Sequence, residues 1–250
     1  MTEPAQPEEP GPASERVSPA PPGEADAVAF GDPGYRAAVV DLLGAVAYGE
    51  LSAFERLAED ARLAPELTDK VALSTMACIQ FAHVQPLLDR IAALGASPVA
   101  AMDPFRTPFD AFHAQTAPSD WLEGLVKAYV GDGLAADFYR EIAAFLDAGT
   151  RQLITESLAD AGHADFVVDR VRRAIAADPR LGGRLALWAR RLMGEALSQA
   201  QRVAAERDSL AALLAGGVDR PGLDLAALGR MFTRITDNHV RRMAELGLAS

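Results

Sequence analysis

Apolar side chains recur every three or four residues along most of the chain, and this period constrains the fold more than any other feature. Residues spaced in this way lie on one face of an α-helix. Half of the 250 residues are hydrophobic, but only 6% are aromatic. Valine, isoleucine and threonine form no alternating runs bounded by turn residues, so strands have no support. The pattern therefore predicts an all-α protein in which helices pack on helices.

Proline and glycine divide this pattern into six predicted helices. Their expected ranges are about 35–62, 68–94, 119–146, 150–176, 184–214 and 223–247. We expect Ser119 to be the N-cap of the third helix and Pro86 to kink the second. The segment 95–118 contains Pro98 and three further prolines and is expected to be irregular. Two tight hairpins joined by one long crossover predict a ferritin-like four-helix bundle, here with an additional C-terminal helical hairpin.

The first 33 residues differ in composition from the rest of the chain. They are rich in proline, glutamate, alanine and glycine and have almost no large apolar side chains. Such a segment cannot bury enough surface to offset the entropy lost on ordering. We therefore predict a disordered tail over 1–33 and a helical domain over 34–250. Within this domain, 34–176 would form the four-helix core and 184–247 the extra hairpin.

Cysteine usage and hydropathy indicate a cytoplasmic protein. The chain has one cysteine, Cys78, expected to be a small buried hydrophobe, and no N-terminal pattern of a secretory signal. We expect no membrane span, because no uncharged apolar run approaches the roughly 18 residues required. Arginines concentrated between 170 and 191 are either phosphate contacts or a solvated helix face.

Polar side chains interrupt the apolar faces of the first four predicted helices near mid-length. They are Glu50 on the first helix, Gln80 and His83 on the second, Asp132 on the third, and Asp160 and His163 on the fourth. Counted from the turn of each hairpin, they lie within about one helical turn of the same level, at a rise of about 1.5 Å per residue. A buried carboxylate must be neutralised, paired or bound to metal. Carboxylates combined with two carboxylate-x-x-His motifs are the ligand layout of a di-iron bundle. A buried hydrogen-bonded network is the alternative interpretation.

Over most of residues 35–247 the chain resembles the actinobacterial ferritin-like proteins related to MiaE, a tRNA hydroxylase. The resemblance is carried by Ala47–Glu50, Trp121–Ile142, Asp160–Val168 and Gly194–Val203. It implies a non-haem di-iron enzyme, a monooxygenase that activates O2 and hydroxylates an unactivated carbon. The implied metal ligands are Glu50, His83, Asp132, Asp160 and His163. Iron is the implied metal, with manganese as the alternative because carboxylate and imidazole ligands serve both.

The resemblance implies a tRNA or small-molecule substrate. The sequence has no C-x-x-C pair for a rubredoxin-type iron centre, so we expect the electron donor to be a separate protein. A homo-oligomer is a further expectation. Asp137 is a rival to Asp132 that lies one position off the apolar face. Three more polar residues on apolar faces are candidate additional ligands, groups that orient the ligands, or packing residues. They are Glu156, Glu195 and His239.

Gln80 departs from the implied pattern, because the second helix should present Glu-x-x-His. A neutral amide is a much poorer iron ligand than a carboxylate. Two alternatives therefore stand beside the hydroxylase. One is a non-catalytic ferritin-like scaffold with a degenerate metal site. The other is an iron-handling or oxidative-stress protein of the rubrerythrin or ferritin type.

Overall fold

The computed structural model describes residues 30–158, 163–215 and 223–248. Within these ranges the protein has nine α-helices, one 3-10 turn and no strand, which confirms the predicted all-α class. The helices are α1 (Pro33–Asp60), α2 (Leu67–Ala93), α3 (Pro98–Gln115), α4 (Trp121–Ala143), α5 (Ala148–Ser157), α6 (His163–Ala177), α7 (Arg180–Glu206), α8 (Asp208–Ala215) and α9 (Leu225–Glu245). The tail predicted over 1–33 lies outside the described residues as far as residue 29, and it stays a prediction.

The first hairpin, α1 and α2, has the predicted form. α1 begins at Pro33, where proline is favoured, and the carboxylate of Asp32 caps it by accepting a backbone N–H at 2.8 Å. A 3-10 turn joins α1 to α2, and the two helices pack against each other. The predicted apolar face of α1 is confirmed, since Val39, Leu43 and Val46 are all buried.

The segment 95–118, predicted to be irregular, is largely the helix α3. Ser97 caps it by accepting the N–H of the third residue, and Pro98 takes the first position, where its missing N–H costs nothing. Tertiary packing holds the helix despite its internal prolines, because α3 lies directly on α1. A Cβ at Gly44 of α1 would lie 2.2 Å from the carbonyl oxygen of Ala101. The absence of a side chain at Gly44 therefore allows this close approach.

Three other helix boundaries differ from the prediction. Asp120, not Ser119, is the N-cap of α4, and Ser119 instead donates its N–H and hydroxyl to the carboxylate of Glu123. The predicted fourth helix is two helices, α5 and α6, and the predicted fifth is α7 and α8. The apolar spacing runs on across each break, so the period alone could not locate them. α2 continues through Pro86.

The buried apolar side chains form two groups. One joins α1, α2, α4, α6, α7 and α9, and the other joins α1, α2, α3, α4, α5 and α8. Trp188 of α7 donates its indole N–H to the carbonyl oxygen of Glu123 at 3.0 Å, which anchors the C-terminal helices on α4. α4 is thus central, and its cavity-lining side chains lie beside those of α1 and α2.

Two helices, α1 and α2, are long and apolar enough to cross a membrane. The expectation that no run has this length was wrong, because Val71–Leu88 contains no charged side chain. The apolar window of α1 is 61% buried, as in a core helix, whereas that of α2 is 28% buried. Length and composition are weak evidence for a span, so the cytoplasmic localisation stays a prediction. Cys78 of α2 is exposed, which corrects the expectation that it is buried.

Candidate functional site

Within the described residues, a cavity of about 660 Å³ lies beside α4 and is lined mainly by α1, α2, α3, α4, α7 and α9. Most of its lining side chains are apolar, and four of them are the aromatic rings of Phe105, Phe109, Phe112 and Phe138. This volume lies within the range of protein pockets that hold small molecules. The polar side chains on its wall include five of the residues singled out from the sequence. They are Glu50, Gln80, His83, Asp132 and Asp137.

Glu50 and His83 meet on the wall of the cavity, as the apolar pattern of α1 and α2 predicted. His83 Nδ1 lies 3.3 Å from Glu50 Oε2, a hydrogen bond when Nδ1 carries the proton. The side chain of Glu50 is buried, and this burial raises the pKa of Glu50, while the contact with His83 opposes the rise. Tyr139 also lines the cavity, and its pKa is raised by burial and by the charge of Glu50. Tyr139 is therefore a neutral phenol at neutral pH.

Gln80 and Asp132 form the second contact on the wall. The side-chain amide of Gln80 donates a hydrogen bond of 3.3 Å to Asp132 Oδ2. Asp132 is exposed, which corrects the expectation that it is the buried acid of α4. The buried acid is its rival Asp137, which forms ion pairs with Arg242 and Arg140.

The predicted fourth-helix ligands are not tested. Asp160 lies outside the described residues, and for His163 only its place as the first residue of α6 is described. The three additional candidates do not line the cavity in the described part of the chain. Glu156 is exposed on α5 and accepts a hydrogen bond from Gln152 at 2.8 Å. Its predicted burial was wrong, because α5 turns Ile154 inward.

Glu195 and His239 belong to the C-terminal helices. Glu195 accepts a hydrogen bond of 2.9 Å from the buried Gln199, one turn further along α7. His239 of α9 is buried, and neither of its ring nitrogens has a hydrogen-bond partner among the described residues. Burial lowers the pKa of His239, and the charge of Arg242 lowers it further. His239 is therefore a neutral packing residue, one of the roles expected for it.

Sequence analysis missed a buried lysine at the cavity. Lys127 Nζ donates to the carbonyl oxygen of Thr116 at 2.8 Å and lies 5.6 Å from the ring centroid of Phe112. Burial lowers the pKa of Lys127 to about 8, and the charge of Asp60 opposes this shift. Burial raises the pKa of Asp60 to about 6, opposed by Lys127. His113 also lines this part of the cavity, and burial lowers its pKa to about 3.

Of Asp60 and Lys127, only Asp60 gave a signal in the sequence. Asp60 follows Leu57 by three residues and so continues the apolar face of α1. Lys127 lies off the face assigned to α4, and nothing in the spacing identifies it.

The described donors supply only part of a di-iron site. Among the described residues, no three His, Cys, Asp or Glu side chains converge closely enough to hold a metal ion together. Glu50 and His83 supply one carboxylate and one imidazole, which suit iron or manganese. The other contact offers one carboxylate and the neutral amide of Gln80. A second ion would need a carboxylate at position 80, and a first ion would need further ligands from Asp160 or His163.

The arginines between 170 and 191 mostly bind acceptors within the protein. Arg170 pairs with Asp69 at 2.7 Å, Arg184 pairs with Asp120 at 2.6 Å, and Arg191 donates to a backbone carbonyl at 2.6 Å. These contacts hold the C-terminal helices against the first half of the chain. The tRNA partner therefore receives no support from this cluster and stays a prediction.

Comparison with known proteins identifies the class of the fold. A family model for a ferritin-like domain of actinomycetes matches residues 33–217, from α1 to α8. No curated protein matches the chain. The family match confirms the predicted ferritin-like class, and the resemblance to MiaE stays a prediction. The matched region covers about three quarters of the chain and agrees with its all-helical structure. The chain therefore belongs to the ferritin-like domain family of actinomycetes.

Proposed function

We propose that this ferritin-like protein binds iron beside Glu50 and His83 and uses it in the O2-dependent hydroxylation of an apolar group held in the cavity. The observation that carries the proposal is the contact between a buried carboxylate and an imidazole on the wall of a mostly apolar cavity. Bound iron would supply the activation of O2, which amino-acid side chains cannot perform. The proposal requires Asp160 or His163 to complete the ligand set.

The residues of the cavity have distinct roles in this proposal. Glu50 and His83 would hold the metal, which would replace the proton between His83 Nδ1 and Glu50 Oε2. The apolar wall binds the substrate carbon and excludes water from the site. Gln80 donates a hydrogen bond to Asp132 instead of adding a second carboxylate. A small apolar molecule and the apolar modification of a tRNA base both suit this wall.

Iron content tests the proposal. After anaerobic loading with Fe(II) and desalting, we expect about one iron per chain, because Gln80 takes the place of the carboxylate that a second ion would need. His83→Ala should retain at least tenfold less iron. His113→Ala is the matched control, since His113 lines the same cavity away from Glu50, and it should retain the wild-type amount. A wild-type protein without iron, or equal losses in both variants, would contradict the proposal.

The hydroxylase activity needs a separate measurement. Iron-loaded protein with a reductant and 18O2 would be incubated with small-molecule extracts and with tRNA, and products would be searched by mass spectrometry for one added 18O atom. An 18O-labelled nucleoside would identify tRNA as the substrate. An 18O-labelled small molecule would identify a small-molecule substrate. Repeated oxidation of excess Fe(II) without labelled product would instead indicate the iron-handling alternative.

A non-catalytic scaffold is the second candidate, and the hydrogen bond between Gln80 and Asp132 favours it. This contact satisfies the carboxylate without a metal. The scaffold predicts a melting temperature unchanged by Fe(II), whereas metal bound to the native state must raise it. A thermal melt of the wild-type protein with and without anaerobic Fe(II) separates the two candidates.

A further inference from the structure

The outward face of α2 has a pattern that the ferritin-like site does not explain. Six exposed residues follow one another at spacings of four and three, which is the seam of a coiled coil. This set, called here the α2 face, comprises Leu67, Val71, Ser74, Cys78, Phe81 and Gln85. Its large apolar side chains are far from buried, with exposed fractions of 77% for Leu67, 57% for Val71 and 52% for Phe81. The α2 face is thus a helical seam without a partner in the described structure.

Charge indicates which partner this face suits. From Val71 to Leu88 no side chain is charged, in a protein whose residues are 24% charged and whose net charge is −11. Two copies of so acidic a protein repel each other over most of their surfaces. An uncharged face is where they can approach, and it offers nothing to an acidic or basic partner. A second copy of this chain is therefore the occupant that fits.

The charges at the two ends of the α2 face set the orientation. Lys70 lies just before the uncharged run and Asp89 just after it. In an antiparallel pair centred on Cys78, Lys70 lies within about one helical turn of the partner subunit's Asp89. A parallel pair would instead set lysine against lysine and aspartate against aspartate. The antiparallel arrangement also has the two-fold symmetry of most homodimers.

We propose that the protein is a homodimer in which the α2 faces of two protomers pair antiparallel around Cys78. Half-buried apolar groups beside the seam extend the contact, since the ring of Phe54 packs on Phe81 with centroids 5.1 Å apart. α2 also carries Gln80 and His83 toward the cavity. Dimerisation would therefore cover the outer side of the helix that holds these two residues.

The native cysteine makes the proposal testable in the full chain. Light scattering after size exclusion should give twice the 26.5 kDa mass of one chain. Mild oxidation with copper-phenanthroline should link the protomers through Cys78, the chain's single cysteine, because antiparallel pairing brings the two thiols together at the two-fold axis. A dimer that fails to cross-link would overturn the proposed register.

Charge insertion identifies the face. Phe81→Glu should halve the measured mass, and so should Ser74→Glu, which alters an exposed polar residue and leaves the core intact. Leu187→Glu is the matched control, because Leu187 is 67% exposed on α7, and it should remain a dimer. Circular dichroism checks that each variant is folded. A wild-type monomer overturns the proposal, including a monomer that floats with phosphatidylcholine vesicles, and so does a dimer that survives both α2 changes.

Discussion

At the scale of single residues, Gln80 is expected to limit how many iron ions the proposed site can hold. Its amide donates to Asp132 at 3.3 Å, so Gln80→Glu would set two carboxylates against each other at the solvent-exposed side of the contact. Without metal, we expect a loss of stability of at most about 1 kcal/mol, because exposed charges are screened. With Fe(II), the added carboxylate should raise the iron content toward two per chain and raise the melting temperature.

The matched control for this prediction is Gln85→Glu on the outward side of the same helix. Gln85 is exposed and donates to Asp89 at 2.7 Å, so its change also creates a pair of like charges but away from the cavity. It should leave the iron content unchanged. Equal iron content in Gln80→Glu and wild type would contradict the role given to position 80.

Asp60 should make stability depend on pH. Its pKa is raised by burial from 3.8 to about 6, so the native state favours the protonated form. The stability that this preference contributes is complete below pH 3.8 and is lost as the pH rises through 6. Asp60→Asn has no carboxyl group at this position and lacks this loss. Its free energy of unfolding relative to that of the wild type should therefore rise by up to about 3 kcal/mol between pH 4 and pH 7. Urea unfolding at a series of pH values measures the difference.

An exposed aspartate supplies the control for this pH effect. Asp89→Asn removes a carboxylate that is exposed on α2, and its unfolding is measured over the same pH range. A difference from wild type for Asp60→Asn that does not change with pH would show that burial does not govern this carboxyl group.

For single residues, sequence analysis succeeded where the helical period and the distance from the hairpin turn were both informative. Glu50, Gln80 and His83 were expected at one level, and they line one cavity. Asp132 also reaches it, but as an exposed residue, whereas Asp137, five residues further along α4, is buried. Lys127 could not be predicted, since its burial depends on the carbonyl oxygen of Thr116, which only the packed loop before α4 places.

At the scale of elements, α3 depends on a close contact with α1. A methyl group at Gly44 would lie 2.2 Å from a backbone oxygen of α3, which cannot move aside as a side chain could. Gly44→Ala should therefore destabilise the protein by about 1–3 kcal/mol through overpacking, despite the better helix propensity of alanine. Urea unfolding measures the change.

Gly194→Ala is the matched control for the α1 and α3 contact. Gly194 lies within α7, and a Cβ there would meet nothing within 4 Å. This change should stabilise the protein by about 0.5–1 kcal/mol, because alanine loses less backbone entropy in a helix. Similar effects of the two changes would mean that α3 is not closely packed on α1.

Helices were predictable from the period of apolar residues, and their ends were predictable where a cap was unambiguous. α3 was missed because its prolines were taken as breakers, although the first of them occupies the favoured N-terminal position after the Ser97 cap. The breaks between α5 and α6 and between α7 and α8 could not be predicted, since apolar residues continue in register on both sides. Tertiary packing, and not local propensity, decides these three features.

At the scale of the whole molecule, the question is whether α9 unfolds together with the other helices. The family match ends at residue 217, before α9 begins. Even so, α9 packs on α4 and α7 and buries Met231, Ile235 and Met243 in the same apolar group as Leu125. The single domain over residues 34–250 stays a prediction, and the core that α4 and α9 share makes it testable.

Met231→Ala tests whether α9 unfolds together with the rest of the molecule. Met231 is fully buried, so its truncation should cost about 2–5 kcal/mol. Both tryptophans, Trp121 and Trp188, lie on α4 and α7 and therefore report on the core and not on α9. If one cooperative unit includes α9, tryptophan fluorescence and far-UV circular dichroism shift together to lower urea concentration.

Val240→Ala on the exposed side of α9 should change stability by less than about 0.5 kcal/mol. An unchanged fluorescence transition in Met231→Ala would mean that α9 is a separate folding unit docked on the ferritin-like domain.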